Sequence, residues 1–431
     1  MNILKQGVNL LVLKDRVNKM TDRSDSNLRE YSYKYLIFLI IFLMLNEIFD
    51  TYTTLFWPVI DSLVITDFQI TESIYAFCIT IASVGMYFVF INQAISDRIG
   101  RKPMLFIVLL GMGVTSLLLN LAQSIYDFTL FLFLLYIWFS SDIWIITISE
   151  ECPEKHRGKI VNLILIAGAA PTLFIPILRS LLVPNFGWQS MTWFALLAIP
   201  VAFLALPMKE TRAYQALKEL KSTEISEKKQ LVSEIFKPSQ GKYQKFFLVI
   251  ILLSFLTGVN YTFLSLGEAY LTIDRLFDFD FVSLVILMMG IAAIIGYSIT
   301  AFLADCLGRK PTAILFISLM PLGVTLVLIG SNLLVIIGAM IVSCSFWSLN
   351  VTSRLICLEH FPTSIRGTGN GWRSLFYAIG VTSGSFISYL LISYIGLGNV
   401  FLLLSLLLLL NIPGIYFILR ETKGISLIEE F

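Results

Sequence analysis

Charged side chains are scarce in this sequence, since Asp, Glu, Lys and Arg together make up only 14% of its 431 residues. An average soluble domain has about 25% charged residues, whereas this chain is 57% hydrophobic. The shortage of charge therefore excludes a soluble globular domain of this length. The apolar residues occur in unbroken runs of about 20, which is long enough for a helix to cross a bilayer, and the alternating pattern of a membrane β-barrel is missing.

Histidine and paired cysteine are equally scarce. The chain has two histidines, His156 and His360, and five cysteines that form no CxxC pair. We therefore expect no disulfide, no metal site and no cofactor. A phosphate-binding loop and a nucleophile elbow are also missing, so we expect that the protein is not an enzyme.

The sequence does contain a repeat of about half its length. The segment SDRIGRKP at 96–103 returns as ADCLGRKP at 304–311. The other repeated pairs are ExxPxxxRG at 150–158 and 359–367, and Glu-Thr at 210–211 and 421–422. Three motifs that recur in the same order at offsets of 208 to 211 residues indicate a duplicated unit, which is typical of transporter halves.

The hydrophobic runs predict an all-α membrane protein with twelve transmembrane helices in two six-helix bundles. The spans are expected near 35–57, 71–95, 103–122, 127–149, 160–182, 188–208, 244–267, 281–304, 312–330, 333–356, 370–393 and 397–419. The predicted parts are an N-terminal tail at 1–34, a first bundle at 35–208, a linker at 209–243, a second bundle at 244–419 and a C-terminal tail at 420–431.

The basic residues predict the orientation, because loops rich in Lys and Arg stay in the cytoplasm. Most of those that flank the spans lie on the side of the linker, while the opposite loops keep only Arg179 and Arg275 beside several aspartates, among them Asp61. Both termini and the linker are therefore predicted to be cytoplasmic. Arg179, near the outer end of span 5, is expected to reach the interface with its long side chain.

The repeated motifs predict a pair of charged cytoplasmic gates. A glycine between two helices permits a tight turn, and arginines there can form charge-assisted bonds to acids on other spans. An alternative is that the basic loops bind anionic lipids. The predicted gate residues are Asp97, Arg98, Gly100, Arg101, Glu150, Arg157, Asp305, Gly308, Arg309, Glu359, Arg366 and Glu421.

With these motifs, the chain resembles the major facilitator superfamily, and most of all its sugar-porter-like branch. The end of span 4 at 148–158 is similar to that branch's ISExxPxKxRG, and 420–424 nearly matches its PETKG. The resemblance covers roughly residues 35–425. It implies that spans 1, 4, 7 and 10 line one central cavity that opens alternately to each side.

The resemblance breaks down where the branch binds sugar. The span 4 arginine of the branch is Leu130 here, its QQxxGxN of span 7 survives only as Gly258-x-Asn260, and its span 10 tryptophan is Arg354. Most of the hexose-binding set is therefore missing. The GPxxGG pattern of antiporters is also missing from span 5, which disfavours a drug–proton antiporter.

Acidic residues within the spans predict proton coupling, because ionisable groups are costly in a membrane and are usually functional there. Glu47 and Asp50 share a face of span 1, and Asp142 lies at a similar depth in span 4. If the two spans adjoin, these like charges raise one another's pKa values. The alternative is that hydrogen bonds satisfy the acids and that they only fix the packing.

The second half supplies polar groups for an organic ligand. The candidates are Asn260 and Tyr261 on span 7 and Trp347, Asn350 and Arg354 on span 10. A buried cation needs a partner, so Arg354 is expected to pair either with Glu359 or with an anionic substrate.

These patterns predict a secondary active transporter that moves a small polar organic solute, sugar-like or an organic ion, by alternating access and proton-coupled symport. The alternatives are a proton-coupled exporter of organic cations and a substrate sensor that does not transport. The expected partners are the solute, protons and membrane lipids, without nucleic acid. We expect a monomer that spans the plasma membrane many times.

Overall fold

Helices account for almost all of the residues that a computed structural model describes, which are 33–138, 143–152, 154–211, 214–215, 241–361 and 363–423. Within these ranges there is no strand. This is the outcome expected of long apolar segments, because a helix satisfies its backbone hydrogen bonds within itself. The prediction of an all-helical chain is thus confirmed for the part that the structure describes.

The first half forms helices that are interrupted by short 3-10 turns. They are α1 (Tyr33–Leu55), α2 (Asp61–Asp67), α3 (Glu72–Ser83), α4 (Val89–Ile99), α5 (Arg101–Asn120), α6 (Ile125–Ile137), α7 (Ile143–Glu151), α8 (Glu154–Ala169), α9 (Pro171–Phe186), α10 (Thr192–Leu196) and α11 (Ala198–Ala202). The 3-10 turns are Trp57–Val59, Val84–Phe88, Trp188–Met191 and Phe203–Ala205.

The second half is built from longer continuous helices. They are α12 (Gly241–Val259), α13 (Tyr261–Ala269), α14 (Phe279–Cys306), α15 (Arg309–Ile329), α16 (Asn332–His360), α17 (Thr363–Ile395), α18 (Leu397–Leu408) and α19 (Asn411–Phe417). A π-helical turn at Tyr270–Asp274 extends α13.

Eleven helical stretches of the described chain are long and apolar enough to cross a membrane, from Lys34–Leu55 to Leu397–Phe417. The span predicted at 127–149 corresponds to the shorter apolar helix α6 followed by α7, and residues 139–142 between them lie outside the described part. The twelve-span count and the cytoplasmic termini therefore stay predictions, as do the domain boundaries.

Two glycine turns give the halves their common pattern. Gly100 ends α4 with φ of +110°, and Gly308 precedes α15 with φ of +108°. Only glycine adopts this backbone region easily, so each repeated GRKP segment can begin a new helix directly after the turn. The end of the molecule that holds both turns is here called the motif end, and the other end is called the opposite end.

Residues from Phe42 onward form one unit around one hydrophobic core, and the described residues before it are the beginning of α1. Within this unit, α3 packs on α17 and α9 packs on α14. Both contacts join the first half of the sequence to the second. Large aromatic side chains such as Trp57, Tyr75 and Phe128 fill the core near the opposite end.

Candidate functional site

The first repeated motif builds a charged cluster at the motif end, which we call the first motif cluster (Asp97, Arg101, Glu150, Glu210 and Thr211). Arg101 donates to Asp97 Oδ1 at 3.0 Å and to Glu150 Oε1 at 3.2 Å. Thr211 donates its hydroxyl to the other oxygen of Glu150 at 2.5 Å. Glu210 accepts the backbone N–H of Arg101 at 2.9 Å. A carboxylate therefore caps the helix that begins after the glycine turn, where negative charge is favourable.

The second motif cluster (Asp305, Arg309, Glu359, Glu421 and Thr422) repeats this arrangement in the second half. Arg309 Nη1 donates to Asp305 Oδ1 at 3.0 Å, and Arg309 Nη2 donates to Glu359 Oε1 at 2.8 Å. Glu421 accepts the backbone N–H of Arg309 at 2.8 Å, and Thr422 donates its hydroxyl to Glu359. Each cluster thus ties together helices of its own half.

Most of the predicted gate residues are brought together in these clusters. The backbone carbonyl of Arg98 accepts a hydrogen bond from the hydroxyl of Tyr214, and Arg98 itself is exposed. Arg157 and Arg366 lie in α8 and α17, but their side chains are outside the described part of the structure. The sequence showed the repeated Glu-Thr pairs, but it did not indicate that Glu210 caps α5.

Of the predicted membrane acids, the structure places Glu47 and Asp50 on α1, both half-buried. The side chain of Glu47 lies against Gly168 of α8. The backbone carbonyl of Asp50 accepts the hydroxyl of Thr54 at 2.8 Å. Asp142 lies outside the described residues, so a shared site for the three acids stays a prediction.

The candidates on span 7 are packed into the protein. Asn260 is buried and donates to the backbone carbonyls of Leu256 at 2.9 Å and of Leu404 at 3.1 Å. Tyr261 is also buried, and its hydroxyl has no hydrogen-bond partner among the described residues. Asn260 therefore braces the helices here.

Two of the candidates on span 10, Trp347 and Arg354, lie near Tyr297 of α14, which the sequence did not single out. The rings of Trp347 and Tyr297 are 5.4 Å apart, and Tyr297 lies within electrostatic range of both Arg354 and Glu47. Tyr297 keeps 40% of its surface accessible. Because Glu47 belongs to the first half and Arg354 to the second, Tyr297 lies near charged side chains of both halves.

The expected pair between Arg354 and Glu359 is not formed in this structure. Both oxygens of Glu359 are taken by Arg309 and Thr422. The ion pairs among the described residues do not include Arg354. Asn350, on the same helix, donates to the carbonyl of Phe346 at 3.2 Å.

A third charged cluster, the Arg179 cluster (Val59, Arg179, Glu268, Ser62 and Ser283), lies at the opposite end. The expectation that Arg179 reaches the interface is wrong: its side chain is 0% exposed and binds Glu268, which is 1% exposed, at 2.6 Å. Arg179 also donates to the carbonyl of Val59 at 2.7 Å and to the hydroxyl of Ser283.

Glu268 completes this cluster by binding the first turn of α2. It accepts the backbone N–H and the hydroxyl of Ser62, each at 2.7 Å. Since Ser62 and Arg179 belong to the first half and Glu268 to the second, the cluster joins the halves. The sequence signal was a single arginine and a single glutamate in apolar surroundings, each of which needs a partner when buried.

Three further contacts join the halves between α3 and α17. Ser73 donates to the carbonyl of Tyr389 at 2.9 Å, the rings of Phe77 and Tyr389 are 4.9 Å apart, and the hydroxyls of Ser83 and Thr382 are 2.8 Å apart. Ser73 lies in the first turn of α3, near the opposite end. The opposite end is therefore held closed by contacts that run from one half to the other.

The described residues hold no group of three or more His, Cys, Asp or Glu side chains that could bind a metal ion.

Comparisons with known proteins agree with this geometry. A family model described as "Major Facilitator Superfamily" matches residues 37–276 and 248–430. A protein of Bacillus subtilis (strain 168) that is named for niacin and nicotinamide transport, NiaP, is 25% identical over 364 residues, which cover 81% of this chain and 87% of that protein. The "Niacin transporter NiaP" of Acinetobacter baylyi is 22% identical and covers 89% of this chain and 93% of its own length.

A solved structure has the same fold. The crystal structure of a D-xylose-proton symporter superposes with a TM-score of 0.72 at 16% identity, and the match covers 91% of this chain and 100% of that chain. At this identity the likeness concerns the fold alone.

Proposed function

This chain belongs to the Major Facilitator Superfamily, and we propose that it transports a small organic anion, an aromatic carboxylate of the niacin kind, by alternating access. It is a membrane transporter of small organic solutes and not an enzyme, because its relatives are transporters and it has their fold. The finer proposal concerns the substrate, the coupling ion and the residues that bind them.

The observation that carries this proposal is the setting of Arg354. Arg354 is half-buried, lies within electrostatic range of Tyr297, and has no ion pair with Glu359. The ring of Tyr297 in turn lies 5.4 Å from that of Trp347. Guanidinium groups bind carboxylates through charge-assisted hydrogen bonds, and aromatic side chains stack on aromatic rings. An aromatic carboxylate satisfies both, whereas the hexose-binding residues of the sugar-porter pattern are missing.

We further propose that the substrate moves together with a proton. The acids proposed to carry it are Glu47, Asp50 and Asp142, with Asp50 as the first choice. Glu47 lies within electrostatic range of the same Tyr297 as Arg354, so the proton and the anion would bind in one region. Binding both together reduces the net charge that has to cross the membrane.

The proposed orientation places the motif end in the cytoplasm of a plasma-membrane protein that acts as a monomer. The orientation follows from the excess of Lys and Arg in the loops at that end. We propose that the two motif clusters stabilise the helices that form the cytoplasmic gate. Anionic lipids are the alternative partner of these loops.

Uptake into proteoliposomes tests the substrate and the coupling. We expect radiolabelled niacin to accumulate when an inward proton gradient is imposed, and we expect Arg354→Gln to abolish its binding and its uptake. Arg354→Lys is the matched control, because it keeps the charge and should retain part of the binding. Unchanged niacin binding in Arg354→Gln would contradict the substrate proposal.

The Asp50→Asn variant tests the proton separately from the substrate. We expect this variant to lose accumulation driven by the gradient and to keep exchange of labelled for unlabelled substrate. If accumulation persists in Asp50→Asn, a group other than Asp50 carries the coupling proton.

An exporter of organic cations is a second candidate, since Glu47 and Asp50 are half-buried acids on α1 that could serve as counter-charges. In that case, a proton gradient should drive the export of an organic cation from the vesicle. Binding of niacin without any binding of organic cations excludes it.

A further inference from the structure

Asp61 is a carboxyl group sealed inside the opposite end of the molecule. It begins the short helix α2, directly before Ser62 of the Arg179 cluster, and it is 0% exposed. Its Oδ1 accepts a hydrogen bond from the hydroxyl of Tyr75 at 2.5 Å. Its Oδ2 has no hydrogen-bond partner among the described residues. A buried carboxylate with an unsatisfied oxygen is costly in its charged form.

The groups that face Asp61 supply no positive charge of their own. They are Tyr75 from α3, Tyr136 from α6, and Tyr261 and Glu268 from α13. The cation in this neighbourhood, Arg179, is bound to Glu268 rather than to Asp61. Two acids therefore share a buried site with one arginine.

The electrostatic setting favours the protonated form of Asp61. Burial raises the pKa of this carboxyl well above its usual range, the hydrogen bond from Tyr75 lowers it in part, and the negative charge of Glu268 raises it further. An aspartate in water has a pKa of about 3.9. The carboxyl therefore binds a proton more tightly in this closed arrangement than when water reaches it.

The burial of Asp61 depends on the contacts between the two halves. Its neighbour Ser62 in α2 binds Glu268 through both its N–H and its hydroxyl. Arg179 joins Val59 of the preceding 3-10 turn to Glu268. Separation of the halves at this end would break the bonds of Glu268 to Ser62 and Arg179 and would let water reach the segment from Val59 to Ser62. Opening therefore removes the cause of the tight proton binding.

From this geometry we infer that Asp61 is a proton-binding site whose proton stabilises closure of the opposite end. The site is separate from Glu47, Asp50 and Asp142, and it requires neither the proposed substrate nor proton-coupled uptake. Lowering the pH adds the proton and favours closure, and raising the pH through the pKa of the closed state favours opening. For one linked proton, the ratio of open to closed molecules changes by up to about tenfold per pH unit.

Distance measurements between two spin labels test this inference without substrate. Gln123 lies between α5 and α6, and Asn332 begins α16; both are exposed at the opposite end, one in each half. Labels are attached to cysteines at these positions in the full-length protein after the native cysteines have been replaced. We expect a short distance at acidic pH and a growing fraction of longer distances as the pH rises.

Three variants identify the group that titrates. Asp61→Asn, which imitates the protonated acid, should keep the short distance at every pH. Asp67→Asn is the matched control, since Asp67 lies on the same helix but is exposed and binds Trp188, and it should titrate like the unmodified protein. Tyr75→Phe removes the bond that favours the carboxylate, so its midpoint should move to higher pH.

Infrared spectroscopy provides a second readout if Asp61→Asn does not fold. The C=O band of a protonated carboxyl group should disappear over the same pH interval as the distance change, and Tyr75→Phe should shift both by the same amount. Three results would each overturn the inference. They are distances that do not change with pH, a titration that persists in Asp61→Asn, and a C=O band that does not shift in Tyr75→Phe.

Discussion

The motif clusters and the Arg179 cluster both centre on an arginine that binds carboxylates, yet they differ in copy number, in burial and in what they join. The motif clusters occur twice, and each stays within one half. Their aspartates are accessible, with side chains that are 50% exposed for Asp97 and 74% for Asp305. The Arg179 cluster joins the halves, and its ion pair is almost completely buried.

The repeat explains this difference. The two motifs that flank Arg179 recur at offsets of 209 and 211 residues, which place positions 388–390 opposite Arg179, and these are Ser, Tyr and Leu. A duplicated unit copies the contacts made within it, whereas a contact between the two copies joins different surfaces and needs its own residues. We therefore expect the motif clusters to support each half and the Arg179 cluster to decide how the halves meet.

The largest expected effect is that of breaking the buried pair. Arg179→Met leaves Glu268 charged and buried, which costs about 3–5 kcal/mol in other proteins, so the variant should melt far below the unmodified protein. Thermal unfolding of the purified protein measures this. Arg101→Met, the matched change in a motif cluster, should cost less because Asp97 is half-exposed.

The double variant Arg179→Met with Glu268→Met separates a lost contact from an uncompensated charge. Removing both charges should recover much of the stability, because well-packed apolar residues can replace a buried ion pair. A double variant that is no more stable than Arg179→Met alone contradicts this reading.

Replacing the glycine of either turn should lower the stability by an intermediate amount, and this loss should be equal in the two halves. Alanine at Gly100 or Gly308 adopts an unfavourable backbone conformation, at a cost of about 1–3 kcal/mol. Its Cβ would also lie 2.2 Å from an oxygen of Glu210 or 2.6 Å from one of Glu421. Gly396→Ala is the control for strain alone, since its φ is +76° and no atom lies within 4 Å of the added carbon. If the three variants melt at the same temperature, the contact with the carboxylate caps contributes nothing to the loss of stability.

The smallest effect is expected at the exposed aspartates. Asp305→Asn should change the stability by about 0–1 kcal/mol, because exposed ion pairs are weak and are screened by salt. Asp97→Asn should cost slightly more, since its side chain is less exposed. Unfolding measured at low and high salt checks both, and a large loss that salt does not alter would show that these aspartates act through something other than an exposed pair.

The sequence predicted the motif clusters better than the central region. Charged residues in short polar loops repeat visibly, and a helix that begins after a glycine fixes their neighbours along the chain. The central region depends on how separate helices rotate, so Tyr297 was not predicted, and Asn260 proved to brace the packing. Asp61 was noted only as one of several aspartates outside the spans, and Glu268 fell just beyond a predicted span.

The amino-acid sequence by itself determined that this is a helical membrane protein built from a duplicated unit, because hydrophobic length and repeated motifs are local properties. Only the tertiary structure decided that Arg179 and Glu268 meet, that Asp61 is enclosed beside them, and that Glu359 binds Arg309 rather than Arg354. Those outcomes depend on which helix faces lie together across the two halves, and the repeat carries no information about the surface between its own copies.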